Sequence, residues 1–352
     1  MSVQPQGESV LCHADDGFKN WMSLYGGSVI FSTLYSNKVV VLGWNGREVT
    51  VLLREFDAPA GVSVLKDQIL ISSRREVSLF ANAPLLAHDY DLSAPGSYDA
   101  CYLPRATWYT GDLKARDTLA GRDGLLFLNT RFSSISRTSF KYHFETVWKP
   151  DFVTDLVPED RCHLSGMAAI NGEPAFVTAL GVSDEPGGWR DKKETGGVLI
   201  DVQKNEIVLE GLKMPHSPRW YRECLWFLGS LEGSLWVMNP VTHELKRVCR
   251  LPGFARGLVF YENYAIIGLS KFRENEKISA PIQNNTSRCA VAVVNILNAK
   301  VEGMFAFDRG CTEIWDVSLL PDARRPALLT MEKPACSEAL TTENCSWWVR
   351  PH

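Results

Sequence analysis

VIFSTLYSNKVVVLGWNGREVTVLLREF, from Val29 to Phe56, reads as three short apolar strands separated by the polar turns YSNK and NGRE. Apolar or alternating runs of this length, rich in Val, Ile, Leu and Phe and bounded by such turns, are the signature of antiparallel hairpins. Other stretches follow the same plan but carry one more strand in front. They are GVSVLKDQILISSRREVSLF from Gly61, DTLAGRDGLLFLNTRFSSIS from Asp117, SGMAAINGEPAFVTAL from Ser165, SPRWYRECLWFLGSLEGSLWVMNP from Ser217, and RGLVFYENYAIIGLSKF from Arg256, with its later strand at CAVAVVNIL. In each, a first strand and a tight turn lead to a second strand ending in Ser, Thr or Asn, then to one or two further strands. Helical periodicity is almost absent, and a spacing of about 40 to 60 residues is that of propeller blades with loop insertions.

Val29–Phe56 fits the second, third and fourth strands of this unit, because its STLY aligns with LNTR and LSKF at the ends of other second strands. The missing first strand is supplied by WDVSLLPD, Trp315 to Asp322, which no full blade follows. The expected fold is all-β: a six-bladed β-propeller closed by the C-terminal strand pairing with the N-terminal blade, which removes open sheet edges. Seven blades is the alternative if the C-terminal residues form further strands. Residues 1–331 are expected to be one propeller domain and 332–352 a C-terminal tail, a size that a closed all-β unit reaches.

The charge of −4, with Lys and Arg scattered along the chain, lacks the basic footprint of a nucleic-acid binder. Apolar runs are too short for a membrane-spanning helix, and MSVQPQGESV has no signal-peptide pattern, so a cytoplasmic protein with no membrane partner is expected. Nine cysteines without a CxxC pair suit reduced structural thiols better than a disulfide framework or a zinc knuckle.

In a propeller the first strands line a central channel, and the loops entering them share a face with the loops leaving the second strands. Alignment on the first turn puts Ala60, Asp117, Ser165, His216, Arg256 and Asp316 at one mouth of that channel. His216 stands between two prolines in KMPHSPRW. Arg161 and His163 lie just upstream of a first strand in EDRCHLSGM, Asp112 and Arg116 in TGDLKARD, and Glu313 in CTEIWD. Second strands end on the same face at Asn129 and Arg131 and at Lys271 and Arg273. Three long insertions, Ser93 to Arg116, Gly181 to Gly197 and Phe272 to Arg288, are expected to cap it. Of their aromatics, Trp189 is the preferred ligand contact and Tyr109 a second, whereas Trp220, Trp226 and Trp236 alternate as blade-packing residues do.

YLPRATWYTGDL, LFLNTRFSSIS, EDRCHLSGMA, GGWRDKKETGGVLIDV, GLKMPHSPRWY and RGLVFYENYAIIGLSKFREN together resemble a family of largely uncharacterised bacterial proteins, sometimes joined to tetratricopeptide repeats. The similarity runs from about Leu11 to Leu328. It implies no particular activity. Relatives usually carry a His before the aspartate of the TGDL segment where this chain has Arg116, so a metal ligand at that position in relatives would be absent here.

His216 and His163 are candidate general acids or bases near neutral pH, with Asp117 or Glu313 to orient an imidazole. Arg256, Arg131 and Arg161, with Asn129, Lys271, Arg273, Trp189 and Tyr109, are candidate substrate-binding groups, the guanidiniums gripping an anion. A divalent metal ion on His163, His216 and Asp316 is the other option, weighed against so many arginines. No Walker loop, dinucleotide fingerprint or GxSxG elbow exists, so no nucleotide cofactor or serine nucleophile is expected. Two classes remain: an enzyme of lyase, isomerase, cyclase or hydrolase type acting on a small anionic metabolite, and a non-catalytic propeller that binds a protein or glycan. The oligomeric state is left open.

Overall fold

The computed structural model describes residues 10–122, 124–272 and 287–350. Its strands form six blades around a central axis. Blade 1 runs from the hub outward as Asp316–Leu320, Ser28–Thr33, Lys38–Trp44 and Val49–Glu55. The closing pair is antiparallel, with Phe31 opposite Val317 and Ile30 opposite Ser318. Blade 2 contains Val62–Leu65, Gln68–Ser72, Glu76–Asn82 and Ala100–Tyr109, and Pro326–Leu328 lies parallel to its outer strand as a fifth. Blade 3 contains Ala115–Gly121, Gly124–Asn129, Ser134–Arg137 and Glu145–Trp148. Blade 4 is Leu164–Ile170, Glu173–Ala179, Gly197–Asp201 and Glu206–Leu212; blade 5 is Pro215–Tyr221, Cys224–Gly229, Ser234–Met238 and Leu245–Arg250. Blade 6 is Phe254–Tyr261, Tyr264–Ser270, Cys289–Asn295 and Lys300–Arg309, and Leu11–Ala14 adds a fifth strand at its rim.

Apolar layers fill the gaps between blades. Ile30, Val39 and Val41 of blade 1 meet Val62, Ile69 and Ile71 of blade 2, and Leu128 and Ile135 of blade 3 meet Leu164 and Val177 of blade 4. Sheets buried on both faces need runs such as Cys289–Val294, every residue of which is buried.

Hydroxyls at the ends of second strands join each blade to the next. Ser32 donates to the Ala60 carbonyl, Ser72 to Ala115 and Arg116 (3.3 and 3.2 Å), and Thr130 to Leu164 (2.9 Å). Ser230 donates to Ala255 (2.6 Å) and Ser270 to Ile314 (3.1 Å), while in blade 4 the first-strand Ser165 does the same to Pro215 (2.6 Å). The recurring Ser or Thr of the sequence repeat is thus an inter-blade bond that satisfies a buried carbonyl. Inner strands approach so closely that a Cβ on Gly61 would fall 1.8 Å from the Arg116 carbonyl oxygen.

Two sequence expectations are corrected. Ser93 to Arg116 is not a capping loop: it contains the outer strand Ala100–Tyr109, and residues 83–99 connect strands on the opposite, lower face. A helix, Asp16–Tyr25, also precedes blade 1. Asp15 caps it through the Phe18 N–H (2.8 Å), Gly26 ends it at φ 76°, and Phe18, Trp21, Met22 and Tyr25 pack its apolar stripe against blades 6 and 1. The C-terminal residues add a short helix, Pro334–Glu338, and a two-stranded hairpin rather than a seventh blade. Trp348 seats that hairpin on blade 2, where its Nε1 donates to the Leu86 carbonyl (3.1 Å).

Candidate functional site

The hub is crossed by an ionic link between blades 1, 3 and 5. Arg219 Nη1 donates to Asp117 Oδ2 at 2.7 Å, its Nη2 lies 3.5 Å from Asp316 Oδ1, and its Nε donates to the Leu258 carbonyl at 2.9 Å. The carboxylates also accept from the inner-strand backbone, Asp117 from Met167 N and Asp316 from Val62 N, each at 3.0 Å. Burial, then the neighbouring Asp117 charge, push Asp316 up to about 7, against the pull of Arg219. Asp117 is therefore a hub residue, not the partner of an imidazole: it makes no hydrogen bond to either histidine.

Above this link, five blades contribute to the upper mouth. Trp315, entering blade 1, is stacked by two cations, with the guanidinium carbons of Arg116 and Arg256 lying 4.2 Å and 4.1 Å from its ring centre. Burial lowers Arg116 to about 10, opposed by the electrostatic pull of Tyr35, Asp160 and Glu313. His163, entering blade 4, holds Asp160 through Nδ1 at 2.9 Å and packs on Trp189, with ring centres 4.2 Å apart. His216, entering blade 5, is 4% exposed, and its Nδ1 lies 3.0 Å from the Met214 carbonyl and 2.8 Å from Ser230 Oγ.

These contacts fix the imidazole tautomers. A carbonyl and a carboxylate accept but do not donate, so Nδ1 of each histidine carries its proton and Nε2 keeps the lone pair. Burial lowers the pKa of His216 well below its usual value, with Arg256 next, against the Met214 carbonyl bond. His163 is lowered too: burial outweighs its bond to Asp160, and Arg116 and Lys114 add to the effect. Asp160 stays below its usual value although burial raises it, because His163 and Lys114 stabilise its charge. Backbone strain gathers here, since Asp160, His163, Met214 and Ser217 all adopt φ between 48° and 54°.

The sequence candidates divide accordingly. His163, His216, Arg256 and the buried Glu313 belong to this mouth, and Glu313 Oε1 accepts the Tyr35 N–H. Trp189 lies under the apolar cover formed with Leu180, Met214, Leu231, Phe254 and Phe272. Arg161 is instead bound to Glu159 (2.9 Å) and Asp184 (2.6 Å), and Arg131 to Asp112 (3.0 Å), so both hold loops. Asn129 caps a turn through Phe132 N and Ser136 Oγ, Lys271 is exposed at the rim, and Tyr109 is 77% exposed on an outer strand. Arg273 lies outside the described residues. The metal option fails on geometry: among the described residues no group of three His, Cys, Asp or Glu could hold an ion, and Asp316 is engaged in the hub link below. Asp160 and Arg219 were missed by the sequence reading. The signal for Asp160 was available, three residues before His163 in EDRCH, whereas Arg219 is turned to the hub by a β-bulge between His216 and Arg219.

Fold and mouth together define a six-bladed β-propeller whose upper face gathers buried imidazole and guanidinium groups. Residues 16–329 match the model of a family described as a domain of unknown function (DUF4915), and the chain belongs to that family. Among solved structures, it is similar to a protein of unknown function from Bacteroides caccae (10% identity, TM-score 0.53) and to a chain of a nidogen/laminin complex (9% identity, TM-score 0.52). Each likeness covers 84% of this chain and 99% of the other, and at such identity it is a likeness of fold alone. No curated protein matches the chain. Among the described residues no helix is long and apolar enough to cross a membrane.

Proposed function

We propose that the upper mouth is the active site of an enzyme that moves protons on a small anionic metabolite, in non-redox chemistry of the lyase, isomerase, cyclase or hydrolase kind. The observation that carries this reading is the shared state of the two histidines. Each is held through Nδ1, lowered in pKa, left with an unprotonated Nε2, and close enough to the Arg116–Trp315–Arg256 stack to feel its charge. An imidazole accepts a proton from the substrate at Nε2 and the same group, now an imidazolium, returns it to another atom of the substrate, while a guanidinium holds the carboxylate or phosphate. A second reading, a module that binds a protein or glycan without turnover, draws support from the near-complete enclosure of His216.

Incubation with a panel of hydroxy acids, keto acids and sugar acids in D2O, followed by proton NMR, separates the two. At least one acid is expected to exchange a carbon-bound proton or be converted. His163→Asn and His216→Asn are each expected to cut that rate by about 100-fold or more while the acid still raises Tm. Stabilisation with no exchange or conversion would favour the module, and an unmoved Tm across the panel would sink both the anion and the enzyme.

A further inference from the structure

Cys289 and Cys311 meet where blade 6 hands the chain to blade 1. Cys289 opens the third strand of blade 6, and Cys311 lies on the crossover between the outer strand of that blade, Lys300–Arg309, and the closing strand Asp316–Leu320. Their sulfurs are 3.6 Å apart, with Cys289 donating to Cys311. Among the described residues no other two cysteines are in hydrogen-bond contact.

Buried thiols ordinarily pack as small apolar groups, here within the cluster of Phe31, Phe307, Ile314 and Val317. The surroundings of Cys311 are more polar than that role requires. Its sulfur lies 3.1 Å from the Glu313 carbonyl oxygen and bonds the Ser36 hydroxyl as well as Cys289. Burial raises the thiols of Cys12, Cys101, Cys162, Cys249, Cys289 and Cys336, whereas Cys311 is lowered, chiefly by the bond from Cys289 and against burial. Cys311 also keeps 5% of its surface, while Cys289 is fully enclosed. An outer, more acidic thiol backed by an inner one is the arrangement of an attacking and a resolving cysteine.

Closing the pair asks little of the backbone. A sulfur–sulfur bond is about 2.05 Å long, so each sulfur has about 0.8 Å to travel, a distance that rotation about each Cα–Cβ bond can supply. The crossover is already tied at Thr312, whose carbonyl accepts from Lys271 N (2.9 Å), and at Trp315, whose N–H donates to the Ser32 carbonyl (2.8 Å). A covalent bond at Cys311 would fasten the same segment to the third strand of blade 6. That segment carries Glu313 and Trp315 to the upper mouth.

We propose that Cys289 and Cys311 are a reversible disulfide site, closed by a hydroperoxide and opened by a dithiol, that fixes the crossover entering blade 1. Cys311 Sγ attacks one peroxide oxygen; the O–O bond breaks, and the leaving hydroxide takes the Cys311 proton as water, which leaves a sulfenic acid. Cys289 Sγ then attacks Cys311 Sγ; the S–O bond breaks, and the hydroxyl departs with the Cys289 proton as a second water. Each thiol gives up one electron and the peroxide gains both. A dithiol reverses the bond by exchange.

The test is peptide mapping of the full chain after graded exposure to hydrogen peroxide. Trypsin cuts after Arg288, Lys300, Arg309 and Arg324, which puts the two cysteines on separate peptides, 289–300 and 310–324. Each chain is expected to lose about 2 Da and to yield these two peptides joined, and dithiothreitol should release them. Cys289→Ala should leave a sulfenic acid on Cys311 that dimedone captures, and Cys311→Ala should leave Cys289 unmodified. Cys345, exposed at the turn of the C-terminal hairpin, reports that the dose was sufficient. Peptides that stay separate once Cys345 is modified, a linkage found only between molecules as a covalent dimer, or a dimedone adduct on Cys289 in the Cys311→Ala chain would each overturn the proposal. The bridge forms or fails whether or not the mouth turns over a substrate, so none of these outcomes bears on the upper-face reading.

Discussion

Arg219 stands between two buried carboxylates that would otherwise repel each other, and of the two it is Asp316 whose titration is moved. Asp316, raised to about 7, takes up its proton in the folded chain at a pH where the unfolded chain has already lost it. A raised carboxyl contributes stability that is complete below about pH 4 and lost as pH rises to about 7. Asp316→Asn holds a neutral side chain at every pH. Its Tm relative to the parent should therefore be lowest in acid and recover as pH approaches neutrality, and a Tm difference that stays flat from pH 4 to 8 would refute the shift. Arg219 escaped sequence reading because its direction depends on the bulge at Ser217 and Pro218, which breaks strand alternation. Asp117, Asp316, His216 and Arg256 were legible as channel residues because they recur at one register of the repeat. Their roles were not, since the register tells depth along the channel and not which neighbour each side chain meets.

At the scale of elements, the hydroxyl that ends each second strand does two jobs in blade 5. Ser230 bonds the Ala255 carbonyl of blade 6 and also supports His216 Nδ1. Ser230→Ala should cost about 1–3 kcal/mol by leaving a buried carbonyl unmet, measured by urea unfolding. Thr130→Ala should cost a similar amount, but only the Ser230 change should alter the NMR titration of His216. Strands and hairpin turns were readable almost everywhere, since apolar runs between polar turns admit little else. The helix at Asp16 was equally visible in hindsight, through its Asp15 cap and the spacing of Phe18, Trp21, Met22 and Tyr25. Its stripe is only ten residues long and lies outside the strand repeat, so it leaves little helical periodicity in the chain as a whole. Ala100–Tyr109 was misread as part of a loop because Pro104 and Arg105 interrupt its apolar pattern.

For the whole molecule, closure rests on the strand Asp316–Leu320, and the residues after it lean on blade 2. A chain ended at Met331 keeps both pairings and loses the Trp348 patch, so it should still unfold in one transition, with a stability lower by about 1–3 kcal/mol. A chain ended at Thr312 lacks the innermost strand of blade 1 and should show no cooperative transition by calorimetry. Equal behaviour of the two truncations would mean that the ring is held by something other than its closing pair. The joining of distant segments was legible from the sequence, because the incomplete unit at Val29 and the unpartnered strand at Trp315 each supply what the other lacks.

Asp316 is made 284 residues after Ser32, the hydroxyl that receives its N–H. At ordinary translation speeds of about 5–20 residues per second, the naked edge of Ser28–Thr33 waits roughly 15 to 60 s on the ribosome for its mate. Throughout that interval the nascent chain presents an adhesive margin to every other polypeptide nearby, and its yield in a cell will follow the supply of chaperones that can shield it.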